Sequence, residues 1–178
     1  MKFSAARLAG VFVIDLELKE DERGFFARAY CDKEFSAMGL NTHWPQCNIS
    51  FTRTRGIVRG LHFQDEPFAE IKLVRCLSGT MFDVVVDIRR ASPTFGEWEA
   101  FELSGANRRS LYIPPGFAHG LQCLSDSCEV FYQMGEYFAS DLAGGVRWND
   151  PAIGIPWPLK EAIVSSRDAG LPLLSEIL

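Results

Sequence analysis

Short runs of alternating apolar and polar residues, separated by turn-forming residues, follow one another along most of the chain. Residues 11–18 alternate from Ile14 onward, Asp21-Glu22-Arg23-Gly24 supplies a turn, and residues 25–30 resume the apolar pattern. A period of two is typical of half-buried strands, and a polar turn between two such runs is typical of a hairpin. The N-terminal part is therefore predicted to form strand, turn and strand.

One early segment has a helical pattern instead. Residues 32–38 combine helix-forming and apolar positions, with Asp32 where an N-cap is expected and Gly39 at the C-terminal end. Aspartate and glycine are favoured at these two ends because one accepts a backbone hydrogen bond and the other adopts the turn that ends a helix. We predict a short helix here.

Strand-like runs return after Trp44 and continue for about ninety residues. The clearest are residues 72–77 and 81–89, on either side of a Ser78-Gly79 turn, followed by residues 97–103, 110–113, 120–124 and 129–134. Many short strands without a long helical period between them favour an all-β fold, a double-sheet jelly roll with a few short helices.

The C-terminal part is less regular. Proline becomes frequent after Trp148-Asn149-Asp150-Pro151, at positions 156, 158 and 172. We predict a tail that packs on the barrel, ends in a short turn of helix and contributes Asp168 to a site. The length of 178 residues fits one domain, so residues 1–178 are predicted to form a single one.

Composition narrows the function classes. A hydrophobic content of 47% supports a full core, while a net charge of -5 and a pI of 5.2 argue against a nucleic-acid or membrane-surface binder. No run of about eighteen apolar residues could span a membrane. The five cysteines are scattered without a CxxC pair, which is typical of free thiols in a reducing compartment. We therefore expect a cytoplasmic protein with no nucleic-acid or membrane partner.

Two of the three histidines lie in strand-like segments that suggest chemistry. His62 lies in Arg59-Gly60-Leu61-His62-Phe63-Gln64, and His119 ends Pro114-Pro115-Gly116-Phe117-Ala118-His119. The second pattern is similar to the histidine strand of cupins, whose metal-using members need several histidines and a glutamate. Position 64 is glutamine and only His43 remains elsewhere, so we expect no metal and no cofactor. A metal-dependent cupin oxygenase or isomerase fails on this ligand count, and metal analysis of the purified protein would test that judgement.

A metal-free barrel with these residues can transfer protons. His62, backed by Asp168 or Asp83, could accept a proton, because a carboxylate behind an imidazole fixes its tautomer. Lys72 could stabilise an oxyanion, and Tyr132 could return the proton from the opposite face. This combination describes epimerisation next to a carbonyl.

Each of these residues also has a structural explanation. His62 could be a core histidine, Lys72 and Arg59 could be solubilising charges on edge strands, and Tyr132 could be a core aromatic. Asp83 and Asp87 share one face of their strand and could be its solvated side. Residue types alone leave both possibilities open.

A set of motifs in order along nearly the whole chain resembles the dTDP-4-dehydrorhamnose 3,5-epimerase family. The motifs are Arg23-Gly24-Phe25-Phe26, Gln46-x-Asn48-x-Ser50, Arg59-Gly60-Leu61-His62-Phe63-Gln64, Lys72-Leu73-Val74-Arg75, Asp83-Val84-Val85-Val86-Asp87-Ile88-Arg89, Ser92-Pro93-Thr94-Phe95-Gly96, Ile113-Pro114-Pro115-Gly116-Phe117-Ala118-His119-Gly120 and Trp148-Asn149-Asp150. The resemblance implies a metal-independent cupin-type jelly roll, a nucleotide-linked 4-keto-6-deoxy sugar as substrate, and a homodimer that exchanges N-terminal strands.

The resemblance also implies roles for individual residues. His62 resembles the base that removes the proton alpha to the C4 ketone, with Asp168 as its partner, Tyr132 as the acid and Lys72 beside the enolate oxygen. Substrate-binding positions are implied for Arg23, which could serve the partner's site, and for Gln46, Asn48, Arg59 and His119.

Some positions depart from the family pattern around the expected nucleotide site. Arg28 replaces a usual glutamate, Phe138 a tyrosine that stacks on thymine, Ala143 a glutamate, and Arg167 a lysine near the aspartate. Within Gln46-Cys47-Asn48-Ile49-Ser50, Cys47 and Ile49 replace an aspartate and a histidine. Because the proton-transfer residues are retained, we expect an isomerase acting at C3, C5 or both, in deoxysugar biosynthesis. The alternatives are a mono-epimerase using another nucleotide and a non-catalytic sugar-nucleotide-binding cupin.

Overall fold

The strands of the computed structural model, which describes residues 1–177, form two six-stranded sheets and a separate two-stranded hairpin. The first sheet has the order β1 (Lys2–Ala5), β2 (Phe12–Asp15), β10 (Ser110–Ile113), β7 (Lys72–Ser78), β12 (Cys128–Met134), β5 (Gln46–Thr52). The second has the order β13 (Ala143–Gly145), β6 (Ile57–Gln64), β11 (Phe117–Cys123), β8 (Thr80–Asp87), β9 (Trp98–Ser104), with β14 (Ile163–Val164) parallel to β6. The hairpin joins β3 (Lys19–Asp21) to β4 (Gly24–Phe26). The helices are α1 (Asp32–Ala37), α2 (Ser166–Ala169) and two 3-10 turns, Ser140–Leu142 and Leu174–Glu176.

The main core lies between the two sheets. Strands of both sheets direct alternate apolar side chains into it, including Val74 and Val130 from the first sheet and Met81, Val85 and Leu121 from the second. Burial of such side chains contributes about 1.5–3 kcal/mol each, which makes this layer the main source of stability. The all-β jelly-roll prediction is confirmed.

Two smaller clusters cover the outer faces of the sheets. Phe35 of α1 packs on Ile14, Leu73 and Tyr112 of the first sheet. On the second sheet, residues of the C-terminal tail such as Ile153 and Leu174 cover Leu61, Val84 and Val86. The predicted tail on the barrel, ending in a short helical turn, is therefore correct. Strand β8 is buried on both faces, which explains its long apolar run.

The N-terminal region differs from the sequence prediction. The predicted strand 11–18 ends at Asp15, and the predicted strand 25–30 is reduced to Gly24–Phe26, which pairs with Lys19–Asp21. All six strand residues of this hairpin are exposed. With no core face to bury, apolar periodicity could not define these strands. The turn at residues 21–24 is confirmed.

One of two local predictions needs correction. The helix at 32–38 is present as Asp32–Ala37, but its N-cap is Cys31, and Asp32 is already helical. The Ser78-Gly79 turn is confirmed, and the structure adds that it joins β7 and β8 of different sheets. Turn residues report a change of direction, whereas strand pairing depends on contacts distant in sequence.

The cysteines are all free thiols, as predicted, and three of them are buried: Cys76, Cys123 and Cys128. Within residues 1–177 no helix has the length and apolar character needed to cross a membrane.

Candidate active site

A cavity of about 500 Å³ opens between the sheets. Nine predicted site residues line it, and these are Gln46, Asn48, Arg59, His62, Lys72, His119, Tyr132, Phe138 and Arg167. First-sheet strands β5, β7 and β12 supply one wall, and second-sheet strands β6 and β11 supply the other. Side chains of the two walls therefore face each other across the cavity.

A β-bulge in β6 brings Arg59 and His62 to the same cavity. Residues three apart in a regular strand point to opposite faces. Here His62 is opposite His119 while Arg59 is opposite Leu121, so β6 has one extra residue between these pairs. Gly60 has a φ of +115°, and a Cβ there would lie 2.7 Å from the Cα of Gly120. Glycine at position 60 thus permits the bulge that aligns the two side chains.

His62 is paired with Asp168, which reaches it from the C-terminal tail. The His62 Nε2 lies 2.8 Å from Asp168 Oδ1, and the backbone N–H of Gly60 donates to Oδ2 at 3.1 Å. Burial alone would raise the pKa of Asp168, but the hydrogen bonds from His62 and Gly60 and the charge of Arg167 hold it below its usual value. An ionised Asp168 fixes the orientation of the imidazole.

His62 is accessible to a ligand, since 40% of its side chain is exposed, and it is not a packed core histidine. Asp168 was one of two predicted partners of His62, and the other, Asp83, pairs with a different histidine. Both carboxylate oxygens of Asp83 lie 3.0 Å from His119 Nε2. Asp83 and Asp87 are fully buried, so the explanation that they form a solvated face is wrong. Asp87 accepts hydrogen bonds from the Arg89 side chain.

Lys72 lies on a central strand of the first sheet and is buried, which excludes the explanation that it is an edge-strand charge. Its Nζ is 2.5 Å from Glu70 Oε1 and 3.3 Å from the carbonyl oxygen of His62. Glu70 also lines the cavity, and sequence reasoning missed it. The only available signal was a carboxylate two residues before the lysine, which is common on exposed strands as well.

Tyr132 is half-buried on β12 and pairs in register with Asn48 of β5. Burial, and after it the charge of Glu70, raises the pKa of Tyr132, and these effects exceed the opposing charge of Arg59 and the hydrogen bond with Asn48. Tyr132 therefore stays protonated at neutral pH and can donate a proton.

Two glutamines hold the segment that carries Phe138 at the mouth of the cavity. Gln64 donates to the carbonyl oxygens of Phe68 and Tyr137 and accepts from the N–H of Ala139 at 2.8 Å. Gln46 accepts from the N–H of Phe138 at 3.1 Å. Gln64, which departs from a metal-binding His-x-His pair, thus has a positioning role for this segment.

Arg23 and Arg28 lie outside the cavity of their own chain. Arg23, on the exposed hairpin, pairs with Asp21, and Arg28 pairs with Glu34 at 2.9 Å. The Glu34 that pairs with Arg28 belongs to α1, and the predicted contact of Arg28 with substrate stays a prediction. Arg23 was expected to serve a partner's site, and its position in one chain leaves that prediction untested.

Within the described residues 1–177, no three His, Cys, Asp or Glu side chains are grouped so that they could hold a metal ion. The geometry instead combines a carboxylate-backed imidazole, a protonated phenol on the facing wall and a buried ammonium group. These groups can remove a proton beside a carbonyl, stabilise the enolate oxygen and return a proton from the other side.

Comparison with known proteins is consistent with this chemistry. A family model described as dTDP-4-dehydrorhamnose 3,5-epimerase matches residues 5–176. A dTDP-4-dehydrorhamnose 3,5-epimerase of Shigella flexneri is 41% identical over 169 residues, covering 94% of this chain and 93% of the relative.

Solved structures share the architecture. The dTDP-6-deoxy-D-glucose-3,5-epimerase of Legionella pneumophila, in complex with dTDP-4-keto-L-rhamnose, has a TM-score of 0.94 at 36% identity, covering 99% of this chain and 94% of its own. ChmJ, a 3'-monoepimerase from Streptomyces bikiniensis in complex with dTDP-quinovose, has a TM-score of 0.89 at 29% identity, covering 96% and 86%.

Proposed function

The chain belongs to the dTDP-4-dehydrorhamnose 3,5-epimerase family, and from this membership we propose that it epimerises a dTDP-linked 4-keto-6-deoxyhexose at C3 and C5 in deoxysugar biosynthesis. The reaction is an isomerisation and needs no net reductant or oxidant. The observation that carries the proposal is the 2.8 Å contact between His62 and Asp168, facing Tyr132 and Lys72 across one cavity.

Each epimerisation consists of two proton transfers. An Nε2–H of His62 that donates to Asp168 leaves the other ring nitrogen free to accept the proton from the carbon next to C4. The C–H electron pair moves toward the C4 oxygen, and the resulting enolate is stabilised by the Lys72 ammonium group. Tyr132 then protonates the carbon from the opposite face, which inverts the centre. Proton exchange with solvent then returns His62 to its neutral form and Tyr132 to its protonated form.

Deuterium exchange tests the proposal directly. The protein is incubated with dTDP-4-keto-6-deoxyglucose in deuterated water, and C3 and C5 are monitored by NMR. We expect deuterium at both positions and a product with both centres inverted. His62→Ala should abolish exchange, whereas His43→Ala, a histidine outside the cavity, should leave it unchanged. Exchange retained in His62→Ala would contradict the assigned base.

Mono-epimerisation is the second candidate, because ChmJ has the same architecture and is a 3'-monoepimerase. The same base and acid invert one centre if the pocket does not admit the ring conformation needed for the second. Deuterium at one carbon only would establish this candidate. Absence of exchange despite binding would instead indicate a non-catalytic sugar-nucleotide-binding protein.

Thymidine diphosphate is the proposed nucleotide. Phe138 keeps an aromatic ring at the cavity mouth that can stack on a base, while Arg59 and Arg167 supply positive charge for a diphosphate. The charge reversal at Arg28 is offset by Glu34. Calorimetric titration with dTDP, CDP, UDP and GDP should show a preference for dTDP, and equal affinity for all four would contradict it.

A homodimer that exchanges N-terminal strands is proposed for the assembly. Phe26 on the β3–β4 hairpin is 70% exposed, and Ile49 and Phe51 on edge strand β5 are 64% and 56% exposed. Large apolar side chains of this kind favour burial against another protein surface. Exchange would bring Arg23 from one chain to the cavity of the other.

Mixing two inactive variants tests the exchange. In a heterodimer of Arg23→Ala and His62→Ala chains, one site would combine an intact Arg23 from one chain with an intact His62 from the other. Refolding an equal mixture should restore about one quarter of wild-type activity if pairing is random. No restoration would indicate that Arg23 does not serve the partner's site.

A further inference from the structure

Glu70 is a buried carboxylate in the candidate active site that the proposed proton transfers do not use. Its side chain is 7% exposed, and Oε1 lies 2.5 Å from Lys72 Nζ. A buried charge is costly unless it is paired, so this carboxylate and the ammonium group depend on each other. Glu70 also lines the cavity, and it is therefore close to a bound substrate.

The contacts of Lys72 account for two of its three N–H donors. One is directed to Glu70 and one to the carbonyl oxygen of His62, at 3.3 Å. An ammonium group has three donors and rotates freely about its last bond unless partners hold it. With two donors held, the third has a defined direction and is left for a ligand in the cavity. The second contact also ties the lysine to the strand that carries the base.

The same carboxylate also acts electrostatically on Tyr132, which lies on the neighbouring strand β12 of the same sheet. Besides burial, the charge of Glu70 raises the pKa of Tyr132, while Arg59 and Asn48 act in the opposite direction. The ionisable groups that line the cavity around this tyrosine come from every wall, and they are Arg59, His62, Glu70, Lys72, His119 and Arg167. Among them, Glu70 is the only carboxylate in the lining.

We propose that Glu70 is a positioning residue that directs one N–H of Lys72 at the substrate C4 oxygen and places a negative charge in the cavity that the proton donor Tyr132 also lines. The inference rests on the proposed epimerase function and adds a residue to it. Lys72 touches the reacting oxygen, and Glu70 acts through Lys72 and Tyr132. The two effects of Glu70 are separable. Orienting Lys72 needs an acceptor oxygen at position 70, whereas the electrostatic effect on Tyr132 needs a negative charge there.

Two substitutions separate the effects. Glu70→Gln keeps an oxygen that accepts from Lys72 but removes the charge, whereas Glu70→Ala removes both. We expect Glu70→Ala to lower kcat about 100-fold with little change in KM, because misplacing a catalytic group by about 1 Å has such an effect. Glu70→Gln should recover kcat to within about fivefold of wild type at pH 7, because a neutral acceptor keeps the geometry with a weaker hydrogen bond.

The pH profile gives a readout that a purely structural role would not change. Removing a negative charge near Tyr132 favours the tyrosinate, so the basic limb of kcat against pH should move to lower pH in Glu70→Gln. In Tyr132→Phe the basic limb of the kcat profile should disappear, which would assign that limb to the ionisation of Tyr132. Glu66→Gln, an exposed glutamate on the same loop with the same change in net charge, should leave the profile unmoved.

The outcomes distinguish this inference from the proposed function. A basic limb unmoved in Glu70→Gln, or wild-type kcat in Glu70→Ala while Lys72→Met and His62→Ala are inactive, would overturn the role of Glu70 and leave the epimerase assignment intact. No exchange by the wild-type protein would overturn the epimerase assignment itself. If Glu70→Ala does not fold, the pH of the basic limb in Glu70→Gln, compared with wild type, tests the role of Glu70 instead.

Discussion

At the residue scale, the recurring feature is a buried carboxylate that pairs with a basic side chain and holds it in position. The four pairs are His62–Asp168, His119–Asp83, Lys72–Glu70 and Arg89–Asp87. In each pair the carboxylate is the less exposed partner, which leaves the basic atom at the edge of the cavity or near the surface. Low exposure strengthens each pair, because a charge with few water neighbours is poorly screened.

Asp168→Asn should lower kcat by about 10²- to 10⁴-fold with a small effect on KM, because general base catalysis contributes rate factors of this size. An amide neither stabilises the imidazolium nor selects the productive tautomer. The measurement is deuterium exchange under saturating substrate. Asp141→Asn, which alters an exposed carboxylate, serves as the control, and a wild-type rate in Asp168→Asn would contradict the pairing.

Asp87 should make stability depend on pH. Burial would raise its pKa, but hydrogen bonds from Arg89, Ser92 and Thr94 hold that pKa far below the usual range. A depressed pKa in the folded state contributes stability above the unfolded value of about 3.9, and this stability is lost as pH falls toward the folded value.

The matched test is Asp87→Asn. We expect it to lower the free energy of unfolding by about 2 kcal/mol at pH 7, because hydrogen bonds to a charged group contribute 1.5–3 kcal/mol and Arg89 is partly exposed. Urea titrations at pH 7, 4 and 3 should show the difference from wild type shrinking below about pH 4. A difference that does not vary with pH would contradict the assignment.

At the element scale, strand β6 decides the geometry of the site. Its bulge lets Arg59 and His62 share one cavity, and its outer-facing Leu61 packs under the C-terminal tail. The same strand pairs with β11, which carries the second histidine. Any change in its register would move both histidine pairs at once.

Gly60→Ala tests this element. A Cβ at position 60 would lie 2.7 Å from the carbonyl oxygen of His119, in a backbone conformation that L residues rarely adopt. We expect a loss of about 2–4 kcal/mol in the free energy of unfolding and a large loss of exchange activity. Gly39→Ala, with a φ of +69° and nothing within 4 Å, isolates the backbone strain and should cost only about 1 kcal/mol. Equal losses in both variants would contradict the close-packing argument.

At the scale of the whole molecule, one apolar layer lies between the two sheets, two others cover their outer faces, and the candidate site opens between the sheets. The tail that covers the second sheet also delivers Asp168, which is 106 residues from its partner His62. Covering a sheet and completing a site are therefore linked, because the same segment does both. Loss of tail packing would remove the carboxylate from the base as well as exposing apolar surface.

Thiol reactivity reports on this packing. Burial, as the largest cause, raises the pKa of Cys76 to about 11 and that of Cys128 to about 12. Since the thiolate is the reactive form, these two and the buried Cys123 should react with iodoacetamide only in denaturant. Peptide mass spectrometry of native and denatured protein gives the result. Fast native labelling of Cys76 or Cys128 would contradict the buried positions, and protection of exposed Cys47 would indicate that a second copy covers β5.

Local patterns were enough to predict much of the fold. Alternation of apolar and polar residues predicted the jelly roll, and proline frequency predicted the irregular tail. The strand bounds of the exposed hairpin at residues 19–26 were wrong, because an element without a core face has no apolar period. The N-cap at Cys31 was missed because Cys31 makes no side-chain capping hydrogen bond and has no capping signal in the sequence. The buried state of Asp83 and Asp87 was missed as well, since alternation does not distinguish a solvated face from one whose polar side chains are buried against hydrogen-bonding partners.

The sequence by itself determined the fold class, the family and which residue types could transfer protons, because these follow from local periodicity and from motifs in order along the chain. The family resemblance already implied Asp168 as the partner of His62, whereas only the tertiary structure decided the pairing of Asp83 with His119 and of Glu70 with Lys72. It also decided that Arg28 lies outside the cavity of its own chain. The physical reason is that a pairing energy depends on distance and burial, and both arise from contacts between segments far apart in sequence.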